Sequence, residues 1–312
     1  MIERPDAAAL MAGPLGQWLA GQEAARTDAR DKSARYTRNG VIGAAVLGLG
    51  ALVLFRSIDA AMFGAMVPFG IGTFMAVQAR KKVTDAIKGQ INGAIASALG
   101  LEYDMAVTDR GAFDQAKVFS LLPDHDNDTL EDEWSGALGA QRFRLHEARL
   151  TQERGSGKSR RTVTVFEGTI MVISFGRRFL GNTLVERDQS RRSWFGTLKE
   201  AIELGGIQMQ RIDMVDPRFE DTFTVWSNDP VEAHYLVHPE YVERLTHVEQ
   251  SFAGKDIRAL FSGGELLIVL ETGNMFESGS LEASDDRDLL ERTIDQFEAL
   301  AALAAKLNER PR

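Results

Sequence analysis

Residues 40–55 (GVIGAAVLGLGALVLF) and residues 60–79 (AAMFGAMVPFGIGTFMAVQA) are two uncharged apolar runs separated only by Arg56-Ser57-Ile58-Asp59. A helix crossing the hydrocarbon core of a bilayer needs about 17–25 such residues. The second run meets that length and the first falls just short, so the pair reads as a helical hairpin. A hairpin buried in a large soluble core is the competing reading. Flanking charge separates the two. Arg26, Arg30, Lys32, Arg35 and Arg38 precede the first run, and Arg80, Lys81 and Lys82 follow the second. Cations on both outer flanks and a nearly neutral turn fit the positive-inside rule, with both termini in the cytoplasm. Arg56 is placed to snorkel to the far interface and lengthen the short first span. Gly40, Ala44 and Gly48 in one run, and Gly64, Gly70 and Gly72 in the other, allow two backbones to approach closely, as packing in lipid requires. Pro68 inside the second run is a tolerable defect in a membrane span. The runs begin some forty residues into the chain and come as a pair, so they read as an anchor rather than a cleaved signal.

The charge is divided unevenly along the 312 residues. Residues 1–99 carry a net charge of +4 and the remainder −13, within a total of −9. A basic collar beside the membrane and an acidic distal body suit a protein held at an anionic inner leaflet. An acidic body also argues against nucleic acid, which calls for a basic stripe. The chain has no cysteine, which excludes disulfides, a thiolate nucleophile and cysteine-ligated zinc.

The spacing of apolar residues divides the chain into an N-terminal basic or amphipathic segment (1–38), a transmembrane hairpin (39–80), a juxtamembrane helix (81–100) and a cytoplasmic α+β domain (101–312). Within 1–38, Pro14 interrupts any single helix. An interfacial helix near Trp18 and disorder both remain open. Val83, Ile87, Ile91, Ile95 and Leu99 recur every four residues, one face of a helix that Gly100 ends. Residues 113–122 suggest a short helix. Residues 142–150 and 161–175 alternate apolar and polar positions around the polar stretch 153–160 and read as an antiparallel hairpin. Shorter strands are expected at 182–185, 206–212 and 222–227, and helices at 231–236 and 239–252. A second hairpin is expected over 257–261 and 265–271 around Ser262-Gly263-Gly264. Leu289, Leu290, Ile294, Phe297, Leu300 and Leu303 mark a closing helix over 285–307. Antiparallel hairpins followed by one amphipathic helix imply an α+β domain, an order of parts shared with pleckstrin-homology-like folds.

Residues 216–236 (DPRFEDTFTVWSNDPVEAHYL) resemble a bacterial membrane-protein family known as domain of unknown function 3137. Residues 166–168 (FEG), 131–136 (EDEWSG) and the late hairpin at 261–270 add to the resemblance, which covers roughly 80–280. Some members carry the label "galanin", which their length and spans contradict. The family has no established activity, so the resemblance assigns no residue a catalytic role. The segment also has a plain structural reading. Phe219 and Phe223 suit one face of a short helix, and Asp229 is an N-cap with Pro230 at the first helical position and Glu232 in the first turn.

Few residues are spaced for chemistry. Gly155-Ser156-Gly157-Lys158-Ser159 resembles a phosphate loop, but Gln152 stands where the motif needs glycine, and strands are expected on both sides of it, where the motif needs a strand before and a helix after. Asp124, Asp126 and Asp128 place carboxylates at i, i+2 and i+4 like the opening of a calcium loop. Thr129 and Ser135 then stand where that loop needs Gly and Glu. Asp124, Asp126 and Asp128 are therefore a weak candidate for a hard metal ion, with help from Glu131 or Asp132, against the alternative of a polar linker. His234 and His238 are four apart, but Pro239 ends the first helix between them, which separates the rings. No Gly-x-Ser-x-Gly elbow occurs. Arg187, Arg191, Arg192, Trp194 and Phe195 form a basic-aromatic patch. The reading that follows is a non-enzymatic binding or scaffold module anchored in a bacterial inner membrane, using no cofactor, with the lipid bilayer and an unidentified protein as partners. Its alternatives are a metal-assisted hydrolase built on the acidic cluster and an accessory subunit of a membrane transporter.

Overall fold

The computed structural model describes every residue except 1–3, 139–140, 176–177, 188–199, 215–221, 238, 277–278 and 307–312. The chain forms two compact units. One comprises residues 6–94 with 277–291, the other residues 1–5, 95–276 and 292–312.

The first unit is helical. Helix α1 spans Ala7–Ala12 and is capped by Asp6, whose carboxylate accepts from the Ala8 N–H at 2.8 Å. Helix α2 spans Pro14–Gly21 with Pro14 in its first turn, so the proline starts a helix where a missing N–H costs nothing. Between the two readings left open for the N-terminal segment, the described residues are helical, with Leu15 and Leu19 buried. Helix α3 runs from Glu23 to Phe55 and α4 from Ile58 to Leu99. Each apolar run is thus the inner end of a longer helix. Arg56 closes α3 in the left-handed region (φ 49°), with its N–H on the Leu52 carbonyl. The turn is two residues, because Ile58 and Asp59 already belong to the first turn of α4.

Glycines set the packing of this hairpin. A Cβ on Gly40 would lie 3.0 Å from the Gly72 Cα, and one on Gly72 would lie 2.7 Å from the Tyr36 carbonyl oxygen. Gly64 meets the Leu47 carbonyl in the same way at 2.8 Å, and Gly48 meets the Ala65 side chain at 3.1 Å. Gly70, counted among the packing glycines from sequence, faces open space instead. Around this close-packed seam the apolar side chains point outward. Leu54, Val53, Phe63 and Met66 are each more than 70% exposed, and only 11% of each most apolar window is buried. Both helices are long and apolar enough to cross a membrane. A soluble core helix would bury that surface.

Beyond the apolar runs the same unit turns polar and partly buried. Arg26 is fully buried and places one Nη on both oxygens of Asp286, at 2.7 and 2.9 Å. Burial pushes the Asp286 carboxyl up, against the opposing pull of Arg26. Arg30 meets Glu282, and the Arg80 Nε donates to the Ser33 hydroxyl at 2.7 Å. Gly279 passes so close to α4 that a Cβ there would sit 2.0 Å from the Thr84 carbonyl oxygen.

The second unit is a single ten-stranded sheet in the order β1-β2-β3-β4-β10-β9-β5-β8-β7-β6, antiparallel throughout. The strands are β1 Leu101–Ala106, β2 Asn127–Leu138, β3 Gln141–Arg154, β4 Arg161–Ser174, β5 Thr183–Arg187, β6 Ala201–Leu204, β7 Ile207–Ile212, β8 Phe223–Ser227, β9 Lys255–Ser262 and β10 Glu265–Glu271. Helices α5 (Gly111–Val118), α6 (Pro230–Leu236), α7 (Pro239–Ser251) and α8 (Asp286–Lys306) complete it. Gly263 and Gly264 both take positive φ in the β9–β10 turn, a conformation two glycines reach without strain. The fold class is the expected one, two long apolar helices followed by an antiparallel sheet and a closing helix. The pleckstrin-homology analogy extends only to the order of these parts, since the ten strands form one continuous ladder.

The sheet is buried on both faces. On one, Leu145, Met171, Ile268, Ala259, Val185 and Val225 stand opposite one another across six strands, all nearly solvent-free. Phe297 of α8 stacks against Trp134 (ring centroids 4.5 Å apart) and Phe143 on that side. On the other, Phe113 and Ala116 of α5 pack with Leu150, Ile170, Leu184, Trp226, Leu260 and Leu267. This double burial explains why residues 170–173 and 266–270 are continuously apolar rather than alternating.

Three strands escaped the periodicity reading. β1 and β6 are short and half polar. β2 carries Asp128, Glu131, Asp132 and Glu133 in a stretch read as polar linker. Phe223 lies in β8, not on a helix face, and its expected partner Phe219 lies outside the described residues.

Candidate functional site

The sheet unit opens into a cleft of about 660 Å³ where α5 begins, bordered by Asp109, Gln115, Arg142, Arg144, Val172 and Glu265 among others. Its wall is charged and tightly cross-linked. Asp109 accepts from the Gly111 N–H at 2.8 Å and also pairs with Arg144. The Gly111 N–H first, and then Arg144, hold the Asp109 carboxyl below the ordinary range. Arg144 Nε reaches Glu133 at 3.3 Å, and the second oxygen of Glu133 accepts from the Thr108 N–H at 2.8 Å. The result is a chain of alternating charge, Asp109–Arg144–Glu133, pinned to backbone at each end. Arg142 is exposed at the rim.

His146 lies two residues along β3 from Arg144, on the same face, fully buried and with neither ring nitrogen hydrogen-bonded. Burial, reinforced by Arg144 and Arg110, lowers its pKa to about 4. It is a neutral imidazole near pH 7 and part of the packed layer under the cleft.

On the opposite face, three carboxylates converge. Glu131, Asp132 and Glu147 bring oxygens within 4.8 Å of one another, and Asp132 and Glu147 are buried. A bulge in β2 between Glu131 and Trp134 places Asp132 at φ 59°. The Tyr103 hydroxyl donates to Asp132 Oδ1 at 2.5 Å, and the Met275 N–H donates to Glu147 Oε1 at 2.6 Å. Asp132 and Glu147 are therefore each held through one oxygen by a donor of the fold. Glu147 was missed in sequence. It breaks the inward apolar series Phe143, Leu145, and that break is the signal that marks it.

Asp124, Asp126 and Asp128 do not form such a group. Asp126 accepts from the Glu153 N–H at 2.7 Å, Asp128 pairs with Arg110 at 2.9 Å, and Asp124 is exposed. Of the three only Asp128 lies in β2, which begins at Asn127. Gly155–Ser159 is the tip of the β3–β4 hairpin, with Arg154 paired to Arg161 across it. Asp229 is the N-cap expected, accepting from the Glu232 N–H at 3.0 Å. Glu232 in turn accepts from the Leu180 and Gly181 N–H groups, each at 2.8 Å. His234 is exposed on α6, and His238 lies outside the described residues. Arg187 pairs with Glu249 and lies over the Phe223 ring, while Arg191, Arg192, Trp194 and Phe195 lie outside the described residues.

Residues 164–309 match the model of a family described as "Protein of unknown function (DUF3137)". The match begins later and ends later than the span read from sequence, and residues 131–136 fall outside it. No curated protein matches significantly. Among solved structures, the mycobacterial trehalose monomycolate transport factor A, TtfA, aligns at a TM-score of 0.34 and 9% identity, over 68% of this chain and 95% of that one.

Proposed function

We propose that this chain, whose residues 164–309 belong to that family of unknown function, is a membrane-anchored, non-enzymatic binding module. In this reading α3 and α4 cross a bacterial inner membrane as a hairpin, both termini are cytoplasmic, and the sheet unit engages a protein partner. The outward apolar surface of the hairpin carries the reading. Leucine, valine, phenylalanine and methionine side chains stand exposed around it over both runs, a surface that water disfavours by roughly 25 cal/mol per Å². The cleft beside α5 is the place for a partner, because its fixed, alternating charges offer recognition.

Membrane fractionation tests the anchor. The intact chain should stay in the pellet after an alkaline carbonate wash; release into the supernatant would sink the reading. The absence of cysteine makes topology equally direct. A Ser156→Cys thiol should react with an impermeant maleimide only after the inner membrane is opened, and a Ser57→Cys thiol before. Photo-crosslinking from Gln115 in intact cells tests the partner: a discrete protein adduct is expected, and its absence counts against a protein ligand.

The metal-assisted hydrolase is the weaker reading. Asp126 and Asp128 are engaged by Glu153 and Arg110, and Asp132 and Glu147 each have one oxygen held by a donor of the fold. Calorimetry with Ca²⁺ or Mg²⁺ showing saturable binding that Asp126→Asn removes would revive it.

A further inference from the structure

The sheet face under α5 changes character along its strands. Leu150 of β3, Ile170 of β4 and Leu267 of β10 are buried in one core with Phe113 and Ala116 of α5. Side chains two apart on a strand share a face, so Arg142, Ser174 and Glu265 continue that same surface into the cleft. Their order is fixed by register. Phe143 stands opposite Ile173, the next residue Arg142 donates its N–H to the Ser174 Oγ at 2.9 Å, and Ser174 stands opposite Glu265. Arg142 and Glu265 are exposed, and Ser174 between them is half-buried. All three line the cleft.

The charged side chains of the cleft are Asp109, Arg142, Arg144 and Glu265, and their charges cancel. They differ in how they are engaged. Asp109 pairs with Arg144, and Arg144 pairs with Glu133 as well. Among the described residues Arg142 and Glu265 form no ion pair, with each other or with any third group. Two strand spacings set their Cα atoms about 10 Å apart. The cleft thus holds one closed ion pair and, along its last row, one cation and one anion still open to a ligand. A ligand of single sign drawn to one of these meets repulsion from the other. Only an occupant carrying both signs satisfies the row, and leaving either charge unpaired beneath it is costly.

We infer that the cleft takes a surface segment of a partner protein that presents a carboxylate to Arg142 and an ammonium or guanidinium to Glu265. A carboxylate suits Arg142 because the guanidinium fork bonds both of its oxygens. The Ser174 oxygen accepts from the Arg142 N–H, which leaves the hydroxyl hydrogen to donate beside that fork. A small molecule favours a mostly apolar pocket, whereas most lining residues here are polar or charged, as at the rim of a protein interface. This pattern rests on the reading of the cleft as the partner's place and adds the chemistry of what enters.

The test uses the full chain in intact cells, with a photo-crosslinking amino acid in place of Gln115, a half-buried residue of the cleft wall. Arg142→Gln and Glu265→Gln should each lower the yield of the protein adduct about tenfold, and Arg142→Lys should lower it less. Both side chains are exposed, so thermal unfolding in detergent should stay at the native temperature, which separates lost recognition from lost fold. Mass spectrometry of the adduct then reads the occupant. The crosslinked segment should hold an acidic and a basic residue, and changing that acid to Lys should restore the adduct that Arg142→Glu removes. An adduct that survives both glutamine variants, or responds to only one, overturns the charge pattern while leaving the cleft as the partner's place. A crosslink to lipid or to a second copy of this chain also overturns it. No adduct from the native chain removes the partner reading itself, and the charge pattern falls with it.

Discussion

The hairpin and the sheet solve opposite problems with similar apolar content. In the sheet unit Leu267, Ile268 and Leu260 have no solvent exposure to speak of, and the helices α5 and α8 lie over the two faces. In the hairpin, Leu54 and Val53 are three-quarters exposed or more, and the contact between helices is made by Gly40, Gly48, Gly64 and Gly72. The sheet is held by removal of large side chains from water. The hairpin is held by close backbone approach at these glycines, with its large side chains turned outward. The same residue type is buried in one unit and exposed in the other.

That contrast can be broken most sharply at the buried ion pair of the helical unit. Arg26→Ala or Asp286→Ala alone should cost about 3–5 kcal/mol of that unit's stability, because each leaves a buried charge without its partner. The double replacement Arg26→Met/Asp286→Leu should restore most of it, and hydrogen exchange over residues 279–291 reads both. Next, Leu267→Ala should lower urea stability of the detergent-solubilised chain by about 2–5 kcal/mol. Leu54→Ala should leave it unchanged, and an equal effect at both sites would erase the distinction drawn above.

Acid sharpens the comparison further. His146 is held below its ordinary pKa by burial, at about 4. The folded sheet therefore binds fewer protons than the unfolded chain between about pH 6.5 and 4. Stability from this group is complete above that window and falls as pH drops through it, by on the order of 3 kcal/mol. His146→Phe should flatten that part of the pH profile, measured as the difference from the native chain. In the hairpin, Gly72→Leu should cost about 1–3 kcal/mol by overpacking against Tyr36 and Gly40. Gly70→Leu, which meets open space, should cost little; thermal unfolding in detergent micelles distinguishes them. The smallest effect is expected at Asp229→Ala, about 1 kcal/mol for a lost N-cap, followed by hydrogen exchange in α6.

Much of this architecture is written in local patterns. The uncharged runs, the four-residue row Ile87–Ile91–Ile95, the Ser262-Gly263-Gly264 turn and the Asp229-Pro230 cap each depend on neighbours within one helical turn or one hairpin, so spacing reveals them. β2 stayed hidden because its acids look like linker until Arg110 takes up Asp128, Tyr103 on β1 takes up Asp132, and Arg144 on β3 with the Thr108 backbone takes up Glu133. Glu147 stayed hidden for the same reason, its donor being the Met275 N–H more than a hundred residues away. The Asp124-Asp126-Asp128 spacing suggests a metal loop, and the partners Asp126 and Asp128 take, the Glu153 N–H and Arg110, come from other segments that spacing does not reveal.

Composition and periodicity by themselves determined that two helices would be long and apolar enough to cross a membrane and that antiparallel strands and a closing helix would follow. Those properties follow from the transfer energy and repeat of each short segment. Only the tertiary structure decided which glycines carry the helix contact and which acids converge. Each of these is a distance between segments far apart in the chain, and no local pattern encodes such a distance.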